Sequence, residues 1–220
     1  GVEVCEDLWT PMPPSTLQSL NGAEVIVNLS ASNETVGKRA YRRQLVQHQS
    51  SICSCVYAYV SAGYTESTTD LVFSGHSVIA ENGTVLAQSE GVAAADYLLL
   101  QDCDLGRIRA DRRKNATFRS CAQRYAGGML CVPGTGALRS DGTLYPLRKL
   151  PFIPSTKAER QACCNAIFQL QVTGLKQRLT AIGGANAVIG ISGGLDSTLA
   201  LLVAVEAMRQ LGRPTTDVYG

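Results

Sequence analysis

Short apolar blocks separated by polar turns fill the chain to about residue 130, and longer helical stripes take over beyond about residue 155. Ala23 to Leu29 is an apolar run of the kind found in a strand covered on both faces. Gly37 to about Ser54 predicts a helix, with Tyr41, Leu45, His48 and Ile52 on one face and Lys38, Arg39, Arg42 and Arg43 at its start. Cys55 to Val60 is strand-like again. Leu71 to Ala80 and Thr84 to Ser89 flank Glu81-Asn82-Gly83, and Asn-Gly between β-prone runs predicts an antiparallel hairpin. Ala94 to Asp102 reads as a strand. Asp104 then caps a short helix carrying the basic run Arg107 to Lys114, read as a solvated face.

Pro133, Pro146, Pro151 and Pro154 forbid a long helix or central strand, which makes 133–155 the expected linker between domains at 1–132 and 156–220. Ser155 is the expected cap of a helix running to about Ala181, with Ala162, Ala166, Leu170, Leu175 and Leu179 on one stripe. Gly183-Gly184 ends it. Ala187 to Ile191 is a buried-strand pattern, and Leu199 to Leu211 is helical. No internal repeat is evident, and the alternation of strands and helices gives an α/β class.

Composition narrows the function. With 45 % hydrophobic residues the chain can bury a core, and a net charge of +2 is too balanced for a general phosphate-backbone binder. No apolar run approaches the ~20 residues that span a bilayer, so neither nucleic acid nor membrane is an expected partner. Eight cysteines at irregular spacing read as reduced, mostly buried thiols in a cytoplasmic setting. Cys53-Ser54-Cys55 and Cys163-Cys164 lack the second pair that a zinc site needs. His48 and His76 read as packed or hydrogen-bonded residues, and Trp9 as core or pocket wall. Gly1 follows no secretory signal, and Asp217 to Gly220 is strand-like with nothing after it to pair. Both ends therefore read as cuts through an internal piece of a longer protein.

One segment carries nucleotide chemistry. Gly190-Ile191-Ser192-Gly193-Gly194-Leu195-Asp196-Ser197 joins a strand to a helix through adjacent glycines. Without Cβ atoms there, successive N–H groups and the helix N-terminus can converge on phosphate. Ser192 and Ser197 add hydroxyls. Asp196 would repel phosphate directly, so its useful role is to hold a Mg²⁺ that bridges phosphate oxygens. A Walker loop is excluded, because its Lys is missing. At the other end Cys5 closes a Val-rich strand, a position from which a thiolate could attack.

The segment Ser192 to Ser197 resembles the loop of enzymes that adenylate a substrate and release pyrophosphate. Gly-Val-Glu-Val-Cys-Glu-Asp-Leu-Trp, Val27 to Asn33 and the hairpin from Phe73 to Gly83 resemble the later half of a nitrilase-type amidase. That amidase joined through a Pro-rich linker to the pyrophosphatase-type loop resembles the glutamine-dependent NAD⁺ synthetase family over essentially all 220 residues. Gly63 to Leu71 and Pro151-Phe152-Ile153-Pro154 belong to the same match. The resemblance implies the C-terminal part of an αββα nitrilase-type sandwich, a linker helix, and the start of a Rossmann-like ATP pyrophosphatase domain.

The resemblance also implies Cys5 as the nucleophile, the Glu6 backbone amide as an oxyanion donor, and Ser32 and Lys38 as glutamine contacts. The loop Gly190, Ile191, Ser192, Gly193, Gly194, Leu195, Asp196 and Ser197 would hold ATP, with Mg²⁺ at Asp196. Ammonia from glutamine would pass through a tunnel to deamido-NAD⁺ after its adenylation, in a homo-oligomer of the whole protein. The Glu base and Lys of the amidase would lie before Gly1, so the isolated chain is expected not to turn over. The alternatives are an ATP-binding assembly module, or another amidotransferase with the same loop. Against the latter, the elbow and His-x-Glu of GMP synthetases are missing, and Val4 precedes the cysteine that asparagine synthetases carry at their N-terminus.

Overall fold

The computed structural model describes residues 1–66, 71–93, 95–134, 150 and 152–220. Residues 67–70, within the Gly63 to Leu71 match, and most of the expected linker lie outside the described residues. The chain divides into two compact units, Gly1–Pro146 and Leu147–Gly220.

The first unit is built on a five-stranded sheet in the order β1 (Val2–Val4), β2 (Val25–Ser30), β3 (Val56–Ser61), β4 (Ser77–Glu81) and β5 (Thr84–Gln88). The first three strands are parallel, and β4 and β5 are antiparallel additions. In register, Val2 faces Val27 and Val27 faces Ala58, so each side chain set stays on its own face of the sheet. Ile26, Tyr57, Tyr59, Val78 and Ala80 point to one side, where they pack with Leu8, Val46, Cys53 and Cys55. Helix α2 (Lys38–Ile52) covers β3 and β4 there, and α1 (Pro14–Leu20) sits beside β1. The opposite side exposes Val2, Val4, Val25, Leu29 and Val60. Thus β2 is not covered on both faces as its apolar run suggested. It alternates, because among the described residues helices cover only one side and Asn28 breaks the run on that side.

Three other expectations change. The inward face of α2 is Arg42, Val46, Gln49 and Ser50, while Tyr41, His48 and Ile52 are exposed. The buried stripe lies one position later than the apolar spacing predicts, because the buried cation at Arg42 is invisible to a hydrophobic count. The described part of 94–102 forms no strand. That segment passes β4 with Tyr97 donating to Ser77 Oγ at 2.8 Å and the Asp104 N–H donating to Glu81 at 2.7 Å. Both edges of β4 are already taken by β3 and β5, so no ladder is open to it. Only two of eight free cysteines, Cys53 and Cys55, are buried. The hairpin turn is as expected, with Asn82 at φ 45° and Gly83 at φ 80° between the paired Glu81 and Thr84.

Helix α3 (Leu105–Lys114) starts on Asp104, whose carboxylate accepts the Arg107 N–H at 2.9 Å. Its basic run is not simply solvated. Arg109 grips Glu24 through two bonds of 2.6 and 2.7 Å, and Arg112 donates to the carbonyls of Ala23, Cys53 and Ser54. These cations clamp α3 to the end of the sheet. Helix α4 (Ala116–Tyr125) follows and packs on α1.

In the second unit α5 (Lys157–Ala181) is capped by Thr156 rather than Ser155, in a reciprocal box with Glu159. Its inward stripe is Phe168, Val172 and Leu175, packed against Val203 and Ala207 of α6 (Leu195–Gln210). Leu170 is exposed instead. The expected buried strand shrinks to β6 (Ala187–Val188), with Val188 open to solvent. Val218–Tyr219 forms β7 and pairs parallel to β6, so the closing strand finds its partner upstream. No helix among the described residues is long and apolar enough to cross a membrane.

Candidate active site

Parallel strands deliver their following loops to one end of a sheet, and ligands collect at those carboxyl ends. Here β1 delivers Cys5, β2 the segment 31–37, and β3 Ala62 and Gly63.

Cys5 is half-buried and holds φ at 49°, in the left-handed region, as it opens a 3-10 turn running Cys5–Trp9. A non-glycine residue in that region costs roughly 1–2 kcal/mol, so the surroundings must hold it there. Leu8 pins the turn into the core, and Asp7 accepts the Val4 N–H at 2.8 Å. The Cys5 carbonyl accepts from Asn28 Nδ2 at 3.4 Å. If this conformation is strained, Cys5→Gly will be more stable than Cys5→Ala by about 1 kcal/mol, the reverse of their order in ordinary helix or strand. Parallel urea melts of the two variants decide it.

Asn28 is itself held on all sides. Its Nδ2 also donates to Tyr57 Oη at 3.2 Å, and its Oδ1 accepts from Ser30 Oγ at 2.6 Å. The Tyr57 hydroxyl donates to buried Glu3, whose other oxygen accepts the Ser15 N–H at 2.7 Å. Burial, with the Glu3 carboxylate beside it, pushes the Tyr57 phenol far above its ordinary range.

The segment after β2 is organised by Arg42, which has no solvent exposure. Its guanidinium donates to Glu34 Oε2 at 3.1 Å, Ser32 Oγ at 3.3 Å and His76 Nδ1 at 2.9 Å. A cation this deep is tolerable only when paired and bonded, and here both terminal nitrogens are engaged while Nε has no partner among the described residues. Burial alone would raise the Glu34 carboxyl, but hydrogen bonds from Ser74 and Arg42 outweigh it and hold the group below its usual range. Lys38 Nζ donates to Asn33 Oδ1 at 2.6 Å and lies 5.7 Å from the Trp9 ring, which in turn packs on Tyr41. Trp9 is therefore the wall joining the Cys5 turn to Lys38.

His76 gives a pH prediction. Desolvation first, then Arg39 and Arg42, pull its pKa from 6.5 to about 4, with Glu34 opposing. Between those values the unfolded chain binds the proton that the folded one refuses, so stability falls as pH drops from 6.5 toward 4. At about 1.4 kcal/mol per pH unit the loss is on the order of 3 kcal/mol. His76→Gln will flatten that part of a plot of urea stability against pH.

In the second unit the loop from Gly190 to Ser197 is exposed and open. A Cβ built at Gly190 or Gly193 meets nothing within 4 Å, and Gly193 holds φ 80°. The two serines expected to face phosphate bond each other, with Ser192 Oγ and Ser197 Oγ 3.3 Å apart. Ser192 Oγ also takes the Gly194 N–H at 3.4 Å. Gly194 caps α6 with no side-chain acceptor, and Asp196 lies in the first turn. Asp196 borders an open cavity of about 620 Å³ lined also by Leu175, Ala187, Ile189, Leu199 and Val203. Among the described residues no group of three or more His, Cys, Asp or Glu could hold a metal. A lone carboxylate at a helix start does fit Mg²⁺, which draws most of its ligands from phosphate and water.

The structure thus gathers Cys5, Ser32 and Lys38 at the sheet end of one unit, with the glycine loop in the other. Sequence reasoning missed Glu3, Asn28, Tyr57 and Arg42, whereas His76 is the packed, hydrogen-bonded residue that was expected. The available signal was a polar residue inside each strand, Glu3 between valines and Asn28 between Val27 and Leu29.

A model of the carbon-nitrogen hydrolase family matches residues 1–113, and the chain belongs to that family. Its mixed sheet of parallel and then antiparallel strands is the corresponding nitrilase-type α/β fold. Among individual proteins, it is 39 % identical to a glutamine-dependent NAD⁺ synthetase of Mycobacterium leprae over 99 % of this chain and 33 % of that protein. It is 29 % identical to one from Thermotoga maritima over 94 % of this chain and 34 % of the relative. A solved synthetase from Acinetobacter baumannii, in complex with ADP, is 24 % identical over 94 % of this chain and 31 % of that one, at a TM-score of 0.41. The chain spans about a third of the length of these curated relatives.

Proposed function

We propose that the chain is the central part of a glutamine-dependent NAD⁺ synthetase, a glutaminase joined to a nucleotide-activating domain. The observation that carries this reading is the pairing, in one chain, of a strained cysteine turn in a carbon-nitrogen hydrolase unit with an open strand-glycine-helix loop. On this reading residues 1–132 are glutaminase and 133–155 linker, while 156–220 begin a Rossmann-like ATP pyrophosphatase domain. The exposed face bearing Val2, Val4 and Leu29 would meet the second sheet of an αββα sandwich.

The Cys5 sulfur attacks the glutamine side-chain carbonyl, and the oxyanion is held by the Glu6 N–H. The C–N bond then breaks, the thiol proton leaves with the nitrogen as ammonia, and a γ-glutamyl thioester remains for water to cleave. Lys38 suits the substrate carboxylate, and Ser32 keeps its own hydroxyl hydrogen to donate while accepting from Arg42. The Glu base and the Lys of the family would lie before Gly1.

At the other site the loop Gly190–Ser197 binds the phosphates of ATP. The nicotinate carboxylate of deamido-NAD⁺ attacks the α-phosphorus and releases pyrophosphate. Ammonia then displaces AMP, forming the amide of NAD⁺. Mg²⁺ at Asp196 would offset the charge on the departing pyrophosphate. The eight free thiols suit a reduced, cytoplasmic setting, and the reading takes the whole protein as a homo-oligomer.

The test is ATP/pyrophosphate exchange by the complete protein. Exchange dependent on deamido-NAD⁺ supports the reading, and a requirement for xanthosine monophosphate or aspartate overturns it. A second reading, a binding module without turnover, applies to the isolated 220 residues. Cys5-dependent release of ammonia from glutamine by that chain alone would remove it.

A further inference from the structure

We propose that Asn28 is a positioning residue for the glutaminase reaction: it aims the Glu6 N–H by holding the Cys5 carbonyl, and the buried Glu3–Tyr57 pair fixes Asn28 for that task. The proposal rests on Cys5 being the nucleophile.

A peptide group is planar and trans, so its C=O and N–H point in opposite directions. The Cys5 carbonyl and the Glu6 N–H belong to one such group. Asn28, on the covered face of the sheet, takes the carbonyl at 3.4 Å. The N–H at the other end of the group must then face away from that amide, and on the proposed mechanism this N–H is the donor to the oxyanion. Cys5 sits at φ 49°, where a non-glycine residue does not rest unaided.

The side chain of Asn28 cannot swing. One amide hydrogen goes to Cys5 O, the other to Tyr57 Oη, and its oxygen takes the Ser30 hydroxyl. The Tyr57 oxygen accepts from Asn28 while its own hydrogen goes to Glu3, which fixes the hydroxyl between the two. Glu3, Asn28 and Tyr57 are all buried. Glu3, placed in β1 inside an apolar run, thereby anchors the Tyr57 hydroxyl that holds Asn28 against the Cys5 peptide.

An oxyanion donor acts on the transition state more than on bound substrate. In the complete protein, Asn28→Ala is expected to lower kcat for glutamine hydrolysis 10- to 100-fold with KM within threefold, and to leave synthesis from added ammonium salts unchanged. Tyr57→Phe keeps the ring in the core and is expected to lower the same kcat three- to tenfold, which decides the matter if Asn28→Ala fails to fold. Unchanged kcat in the soluble variant overturns the proposal. So does a parallel fall in glutamine kcat, substrate affinity and ammonia-driven synthesis, which marks a merely structural role. Cys5→Ala run alongside separates the two levels. If it still hydrolyses glutamine, the nucleophile assignment fails and this inference falls with it; if it is dead while Asn28→Ala is normal, only the inference fails.

Discussion

Cys5→Ala in the complete protein is expected to abolish glutamine-driven amidation, by a factor on the order of 10⁴ or more, while synthesis from ammonium salts stays within about twofold of wild type. Loss of a covalent nucleophile removes the whole route rather than one contact, which is why factors of about 10⁴–10⁶ are usual. Sparing of the ammonia-driven reaction follows from the proposed chemistry, because free ammonia enters after the step that Cys5 performs. Alanine occupies the same left-handed backbone at no greater steric cost than cysteine, so the turn survives and the Trp9 wall with it. The measurement is NAD⁺ formation from deamido-NAD⁺ and ATP with each nitrogen source in turn. If Cys5→Ala retains glutamine-driven synthesis, the sulfur is not the attacking atom. If both activities vanish together, the two sites are not separable in the way a diffusing intermediate requires.

The contrast between what a pattern reveals and what it hides is sharp around this site. The Asn82-Gly83 turn, the Asp104 cap and the double glycine after α5 are all local backbone devices, and each stands where its residue type placed it. Their physics acts over about four residues, so a single sequence carries it whole. Arg42 is the opposite case. Its partners Ser32, Glu34 and His76 are 10, 8 and 34 positions away, and only the sheet brings them together. A cation that deep violates the expectation that charges face water, and a hydrophobic count therefore turned α2 by one residue. Glu3 and Asn28 were legible as polar residues inside strands, but which groups they would meet depends on register between β1, β2 and β3. The strand expected from Ala94 to Asp102 is absent from the described part of that segment for a related reason, since strand propensity cannot say whether an edge is vacant.

The nucleotide loop was read from residue types alone, and its geometry supports a second large effect. Gly193→Val is expected to reduce deamido-NAD⁺-dependent ATP/pyrophosphate exchange at least 100-fold, equivalent to about 3 kcal/mol of lost transition-state stabilisation, with glutamine hydrolysis unchanged. Gly193 holds φ 80°, which a β-branched residue does not tolerate. The loop must relax by turning its N–H groups, and those groups are what the phosphates would meet. Space within the protein is not the difficulty, since a Cβ at this position meets nothing within 4 Å. A strain effect on folding is separated by Gly212→Val, at φ 69° beyond the other end of α6. That variant carries a comparable backbone penalty far from the loop, so it is expected to lower thermal stability while keeping exchange within about threefold. Exchange lost equally in both variants would mean that α6 merely unravels. Exchange retained in Gly193→Val would mean that the main chain of this loop does not grip the phosphates.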